Sequence, residues 1–281
     1  MPPVVAQETL TPAYAVPEKG TFRYKLVETT DAYTQVQNGL DADINRKTES
    51  YFAITGLAPS GGNVCFELVQ DTVFVEDKSK TQVDNAASLA FVNMYTRKPI
   101  RFTVTPQGGL VSANALQAFK RPAGIPSSVS DNYLARQAMF LPMLPSRTVK
   151  TGDTWTETHS DTLNQSATTS DIDLSDNITF ATSTITWTID GWETISSRRC
   201  LKISCKTVVF TETRRVSGRN EVFSEENTTV NSSIYVEPAT GLLVKSIVKS
   251  TMASKYAMFG GEPSIRQSTI NVEKNTTLLP S

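Results

Sequence analysis

Along most of the chain, apolar and polar side chains alternate. In TFRYKLVE, Phe22, Tyr24 and Leu26 fall on one face and Arg23 and Lys25 on the other; in NVCFELVQ, Val64, Phe66 and Leu68 oppose Glu67. TITWTID is the clearest case, with Ile185, Trp187 and Ile189 set against Thr184, Thr186 and Thr188. A period of two puts successive side chains on opposite faces of a strand. Antiparallel sheets with one packed and one wet face read this way. Further strands are expected over residues 47–56, 99–106, 154–160, 169–179, 199–213, 219–236, 242–257 and 264–277. Several exceed the usual five or six residues. Twist accumulates along such strands, so a strongly curved antiparallel sheet or half-barrel is expected. Turns are expected at Pro59 to Gly62, Gln107 to Gly109, Asp190-Gly191, Ser217-Gly218 and Ala239 to Gly241.

Helical patterning is confined to the middle. Residues 82–95, 113–121 and 130–141 are rich in Ala and Leu. In the last of these, Ser130 can cap the first turn, Asp131 complements the helix dipole, and Leu134, Ala138 and Leu141 recur at helical spacing. Pro142 lacks an N–H and disfavours helical geometry at Leu141, so this helix should stop there. FLPMLPSRTVKTGDTW then reads as a helix-to-sheet junction: SRTVK as an edge-like strand, Gly152-Asp153 as a turn, and Trp155 starting the next strand with its ring in the core. The expected class is therefore mainly β with minor α, a curved sheet packed on a few short helices. Residues 1–20 read as an extended N-terminal segment. Residues 21–281 read as a single domain with a helical insert at about 80–144, two stacked sheets being the alternative.

Composition narrows the partners. Lys and Arg total 27 against 28 Asp and Glu, a net charge of -1, so no global field favours nucleic acid or an anionic membrane. No apolar run approaches the roughly 18 residues of a membrane-spanning helix. Of three cysteines, Cys200 and Cys205 sit on one expected strand, roughly 16 Å apart and beyond disulfide reach. Cys65 can pair with one of them, or all three serve as small buried apolar residues. Val4-Val5-Ala6 before Gln7 resembles the end of a signal peptide, which implies a precursor start further upstream and a periplasmic or secreted location.

The search for chemistry finds little. His159 is the sole histidine and lies among polar residues in TETHSD, and no Gly-x-Ser-x-Gly elbow accompanies it. Asp171, Asp173, Ser175 and Asn177 imitate the start of a calcium loop, but Asp176 and Thr182 stand where Gly and Glu are required. Ligand sets for zinc and phosphate-binding glycine loops are absent. Arg198, Arg199, Lys202, Lys206, Arg214, Arg215 and Arg219 precede Glu221, Glu225 and Glu226, a pattern suited to cross-strand ion pairs. No catalytic residue, metal or cofactor is expected.

Three segments, RKPIRFTVTPQGGLVSA, FLPMLPSRTVKTGDTW and YVEPATGLLVKS, together resemble an uncharacterised family of exported bacterial β-rich proteins with an "lPxxpVkxGDxW" junction. Thr151 departs from that pattern, which often has Val there. Such proteins are similar in architecture to the lipoprotein-carrier (LolA/LolB-like) curved sheets. That resemblance implies a non-enzymatic cell-envelope protein holding a lipid or other hydrophobic molecule between sheet and helices, with Phe119, Met139, Phe140 and Met143 against it. Core packing is the alternative role for these four side chains. A structural or interaction subunit of an envelope assembly is the alternative function, and an unrecognised hydrolase a third.

Overall fold

The computed structural model describes residues 8–37, 39–80, 95–116, 140–165, 174–217, 220–260 and 264–280. Its strands are β1 (Thr21–Val36), β2 (Ala42–Gly56), β3 (Val64–Asp77), β4 (Pro99–Val104), β5 (Leu110–Ala115), β6 (Thr154–Gln165), β7 (Leu174–Ile195), β8 (Arg198–Ser217), β9 (Asn220–Glu237), β10 (Leu242–Phe259) and β11 (Ser264–Leu278). All pair antiparallel in one sheet of order β5-β4-β3-β2-β1-β11-β10-β9-β8-β7-β6. The chain starts in the middle, meanders out to the β5 edge, resumes at the β6 edge and returns until β11 lies against β1. The sheet is not closed.

Local chemistry explains the connections. Gly61 and Gly62, with φ of 59° and 77°, form the two-residue turn between Ser60 and Asn63. The turns at Gly108, Gly152 and Gly241 also stand where expected, and Gly218 lies outside the described residues. Asp190-Gly191 is a correction. Gly191 sits inside β7 at a bulge, where the register with β8 slips between Ile189 and Gly191. The chain reverses instead at Ser196-Ser197, with φ of 48° and 66°, and the segments expected as separate strands at 169–179 and 184–190 belong to one strand of 22 residues. A bulge absorbs the glycine without ending the ladder.

The helices expected at 82–95 and 130–141 fall almost wholly outside the described residues. The one expected at 113–121 is corrected where it is described: Ala113 to Ala115 continue β5, Ala113 standing opposite Phe102. Ladder pairing with β4 outweighs the helix propensity of alanine. SRTVK, expected as an edge-like strand, makes one bridge among the described residues, Val149 with Leu10.

The core occupies one face at one end of the sheet. Tyr24, Phe52, Ile54, Phe66, Leu68, Phe102, Trp187, Ile189, Leu201, Ile203, Ile234 and Leu278 are all buried. Trp155 is only half-buried, stacked on Trp187 at 6.2 Å. The cysteines are unpaired. Burial raises both β8 thiols, Cys200 to about 11, which keeps them inert.

Residues 8–20 cross this end as a strap. The Tyr14 N–H donates to the Pro106 carbonyl, in the β4–β5 turn, and the Ala15 N–H to Gly241, in the β9–β10 turn. Those turns lie about six strand spacings apart, roughly 29 Å in a flat sheet. Neighbouring Cα atoms are only about 3.8 Å apart, so the end of the sheet must curl to bring both turns to the strap. Gly241 has φ of 68°, and a Cβ there would lie 2.4 Å from the Ala15 nitrogen; at Gly56 it would lie 2.1 Å from the Pro17 carbonyl. We expect Gly62→Ala, which adds left-handed strain with nothing within 4 Å, to cost about 1 kcal/mol. Gly241→Ala, with the same strain and a backbone clash, should cost about 3 kcal/mol or more. Urea unfolding of both variants measures the difference.

Candidate functional site

The sequence-derived residues separate. Phe140 is buried, its ring 5.0 Å from Phe52, 5.6 Å from Tyr24 and 6.0 Å from Phe66. It therefore fills the curled end as a core residue. Beside it the Tyr14 hydroxyl donates to the Pro142 carbonyl at 2.8 Å, and the Tyr24 hydroxyl to the Leu243 carbonyl at 2.8 Å. Burial raises both phenols far above their usual range. Met143 is 54% exposed. Phe119 and Met139 lie outside the described residues. His159 is exposed on β6, its Nε2 3.8 Å from Glu157. Phe140→Ala should lower stability by about 3–5 kcal/mol, whereas Met143→Ala should stay within about 0.5 kcal/mol. Chemical denaturation distinguishes the two.

The face opposite the core has the more distinctive surface. Alternation from Tyr24, carried across the pairing registers, places Thr29, Asp31, Lys47, Lys249, Thr251 and Asn271 on this outer face. With Asn45, Glu76, Lys78 and Glu273 they border a groove of about 490 Å³ across β3, β2, β1, β11 and β10. A second groove, of about 300 Å³, crosses β10, β9, β8 and β7 and is lined by Thr186, Thr188, Ser204, Lys206, Asn231 and Lys249, among others. Lys249 lines both, so the two grooves adjoin at that side chain and together make a trough across the face. Its origin is geometric. A curled, twisted sheet approaches a hyperboloid, whose outside is waisted at mid-strand, where these residues sit.

The trough is lined mostly by polar and charged residues, whose aliphatic parts contribute to its surface together with Val272 and Ile247, and it is nearly charge-balanced. Lys249 pairs with Glu273 at 3.2 Å and Lys78 with Glu76 at 2.9 Å. The Thr251 hydroxyl donates to the Asn271 side-chain oxygen at 2.9 Å. Hydrogen bonds from Asn275 and Lys249 hold the Glu273 carboxyl below its usual range, and the Lys78 ammonium does the same for Glu76. At one end, Tyr51 and Phe74 meet edge to face at 6.4 Å. Tyr51 donates to Glu49, which also pairs with Lys25 at 2.9 Å.

Exposed large apolar side chains also collect on this face. Tyr33, Phe74, Phe180, Val208, Phe210, Phe259 and Ile265 are each at least 38% exposed, and their registers place every one of them opposite the core. The signal was present in the sequence: on β1, β7 and β8, Tyr33, Phe180 and Phe210 fall in the polar phase of the alternation. Phe74 gives no such signal, because the register slips between Tyr51 and Phe52 and leaves Asp71 unpaired, shifting the phase of β3. Of the basic stretch, Arg214 pairs with Glu221 at 2.6 Å, but Arg198 reaches Glu237 and Arg199 reaches Glu8.

Beneath the groove, Arg46 donates to Asp77 through both Nε and Nη2, at 3.0 and 2.8 Å. Hydrogen bonds from Ser79, and then Arg46, hold the Asp77 carboxyl down to about 2. A carboxylate with a depressed folded-state pKa stabilises the fold above its unfolded pKa of about 4, and that stability is lost as pH falls toward 2. Asp77→Asn should therefore lower the melting temperature at pH 7 and flatten its decline between about pH 4 and 2. Thermal unfolding across that range measures both effects.

No family model matches the chain, and no curated protein matches it. Solved structures that resemble it do so weakly. The hypothetical lipoprotein YmcC from Escherichia coli K12 is 14% identical, with coverage of 94% of this chain and 88% of that one, at a TM-score of 0.23. OpdQ of Pseudomonas aeruginosa is 7% identical, covering 93% and 100%, at 0.26. A variant porin of Rh. blastica is 8% identical, covering 91% and 100%, at 0.24. At these TM-scores none of them lends its fold details or its activity to this chain.

Proposed function

We propose that the protein is a non-enzymatic binding protein of the cell envelope, periplasmic or secreted, that holds an extended polar partner on the outer face of its sheet. The observation that carries this reading is that two grooves adjoin at Lys249, on the same face as the exposed aromatic side chains. The middle strands already spend their backbone donors and acceptors on one another, so a partner there is read by side chains and not by strand addition. The groove carboxylates support a non-catalytic role. Acid–base work needs a carboxyl whose pKa is tuned toward neutrality, whereas Glu76 and Glu273 are pushed the other way by their partners. The envelope location rests on the resemblance of the "lPxxpVkxGDxW" junction to exported bacterial β-rich proteins.

A lipid or other apolar ligand on the core side is the second reading, favoured by the exposure of Met143 beside the β4–β5 turn. A subunit of an envelope assembly would use the same outer face as the first. Hydroxyl-radical footprinting with a deproteinised envelope extract separates them. Protection of Tyr33, Tyr51 and Phe74, with Met143 unchanged, is expected. Protection of Met143 alone would transfer the site to the core side, and recovery of the protein from the cytoplasmic fraction would overturn the envelope location.

A further inference from the structure

Resting on the outer-face reading, we propose that the partner in the trough is a polysaccharide chain of little or no net charge, stacked at one end on Phe74 and Tyr51.

Four features converge on this chemistry. The first is hydrogen-bond character. The arm across β3 to β10 offers Asn45, Asn271, Thr29 and Thr251 beside Lys–Glu pairs. Amides and hydroxyls both donate and accept, and the charged pairs add donors and acceptors side by side. A ligand that fits must present both kinds of group at close intervals along its length, as vicinal hydroxyls do. A phosphate chain presents acceptors only, and a lipid tail presents neither.

Charge balance is the second feature. Lys47, Lys78 and Lys249 stand against Asp31, Glu76 and Glu273; Arg46, which also lines the groove, is neutralised by Asp77 at 2.8 Å, and the arm across β9 and β8 adds Lys206. No strong positive field is available to hold a polyanion.

Third, Phe74 is 59% exposed in its edge-to-face contact with Tyr51. It lies two residues before Glu76 on the same face of β3, just beyond the residues that line the groove. An exposed ring beside a polar groove supplies apolar area for the C–H face of a sugar, while the polar groups take its hydroxyls. Holding the Tyr51 hydroxyl on Glu49 at 2.6 Å fixes the ring before the ligand arrives, which lowers the ordering cost of binding.

The fourth feature is length. From β3 to β7 the trough crosses seven strand spacings, roughly 34 Å. A single small sugar would occupy a fraction of it, whereas a chain would engage both arms and gain from each. Affinity should accordingly rise with the number of sugar units until the trough is spanned.

Native affinity electrophoresis tests this with dextran, mannan and xyloglucan as neutral probes and alginate and dextran sulfate as anionic ones. At least one neutral polysaccharide is expected to retard the protein, with retention at high salt and weaker binding of short oligosaccharides. Phe74→Ala and Asn271→Ala, with unchanged thermal unfolding, should each weaken that binding by about tenfold, equivalent to about 1.4 kcal/mol. Absence of retardation by every neutral probe would overturn the proposal. So would retardation that survives both substitutions, or retardation by the anionic probes alone that salt abolishes. Periodate oxidation of the envelope extract separates this proposal from the reading it rests on. Protection of Phe74 that persists after the vicinal diols are destroyed overturns the polysaccharide and leaves the outer face as the binding surface. Absence of protection before oxidation overturns both.

Discussion

Two hydrogen bonds from adjacent residues organise the molecule. Tyr14 binds the carbonyl of Pro106 and Ala15 that of Gly241, turns that a flat sheet would hold far apart. As long as the strap bonds both, that end of the sheet stays curled. The curl gives Phe140 three aromatic neighbours at once and lets side chains from β3 and β8 share one core. Closing the end around a strap also avoids closing the barrel, so β5 and β6 remain as edges.

The strands far outrun the core that the strap creates. β7 has 22 residues and β8 has 20, yet the buried side chains cluster near the strap. Beyond the core the sheet is held by its ladder and by cross-strand pairs such as Thr156 with Thr186 and Thr179 with Thr213. Lys249 with Glu273 and Lys274 with Glu28 add ion pairs. Each of these contributes a fraction of a kcal/mol. A part of the sheet stabilised mainly by its own backbone hydrogen bonds leaves its side chains free for contact, and the trough lies there.

The two faces thus do different work for a geometric reason. Curling compresses the inner face, where large rings interdigitate and exclude water. The outer face is spread across the strands but waisted along them, so it forms a shallow groove with polar walls and no apolar pocket. The exposed rings at its margins face water because no element among the described residues packs on that side.

Period-two alternation was enough to find most of the strands, though not β5, to pair Phe22, Tyr24 and Leu26 on one face, and to expect curvature from strand length. Glycine and proline chemistry located the turns at Gly62, Gly108, Gly152 and Gly241. These are local properties, set by sterics within a few residues, and so they can be read without the fold. The Gly191 bulge and the Ser196-Ser197 turn could not be, because a glycine ends a strand or bends it according to what the neighbouring strand does. Nor could the assignment of Ala113 to Ala115 to β5, which depends on β4 being there to pair with. The trough was least legible of all: Lys249, Asn271 and Glu76 come from segments that register alone brings together, and the slip on β3 decides that Phe74 faces outward. Sequence by itself determined which residues alternate and where the chain can bend. Only the tertiary structure decided which polar residues meet, because that depends on strand order and register over long separations, 234 residues in the case of Thr34 and Ser268.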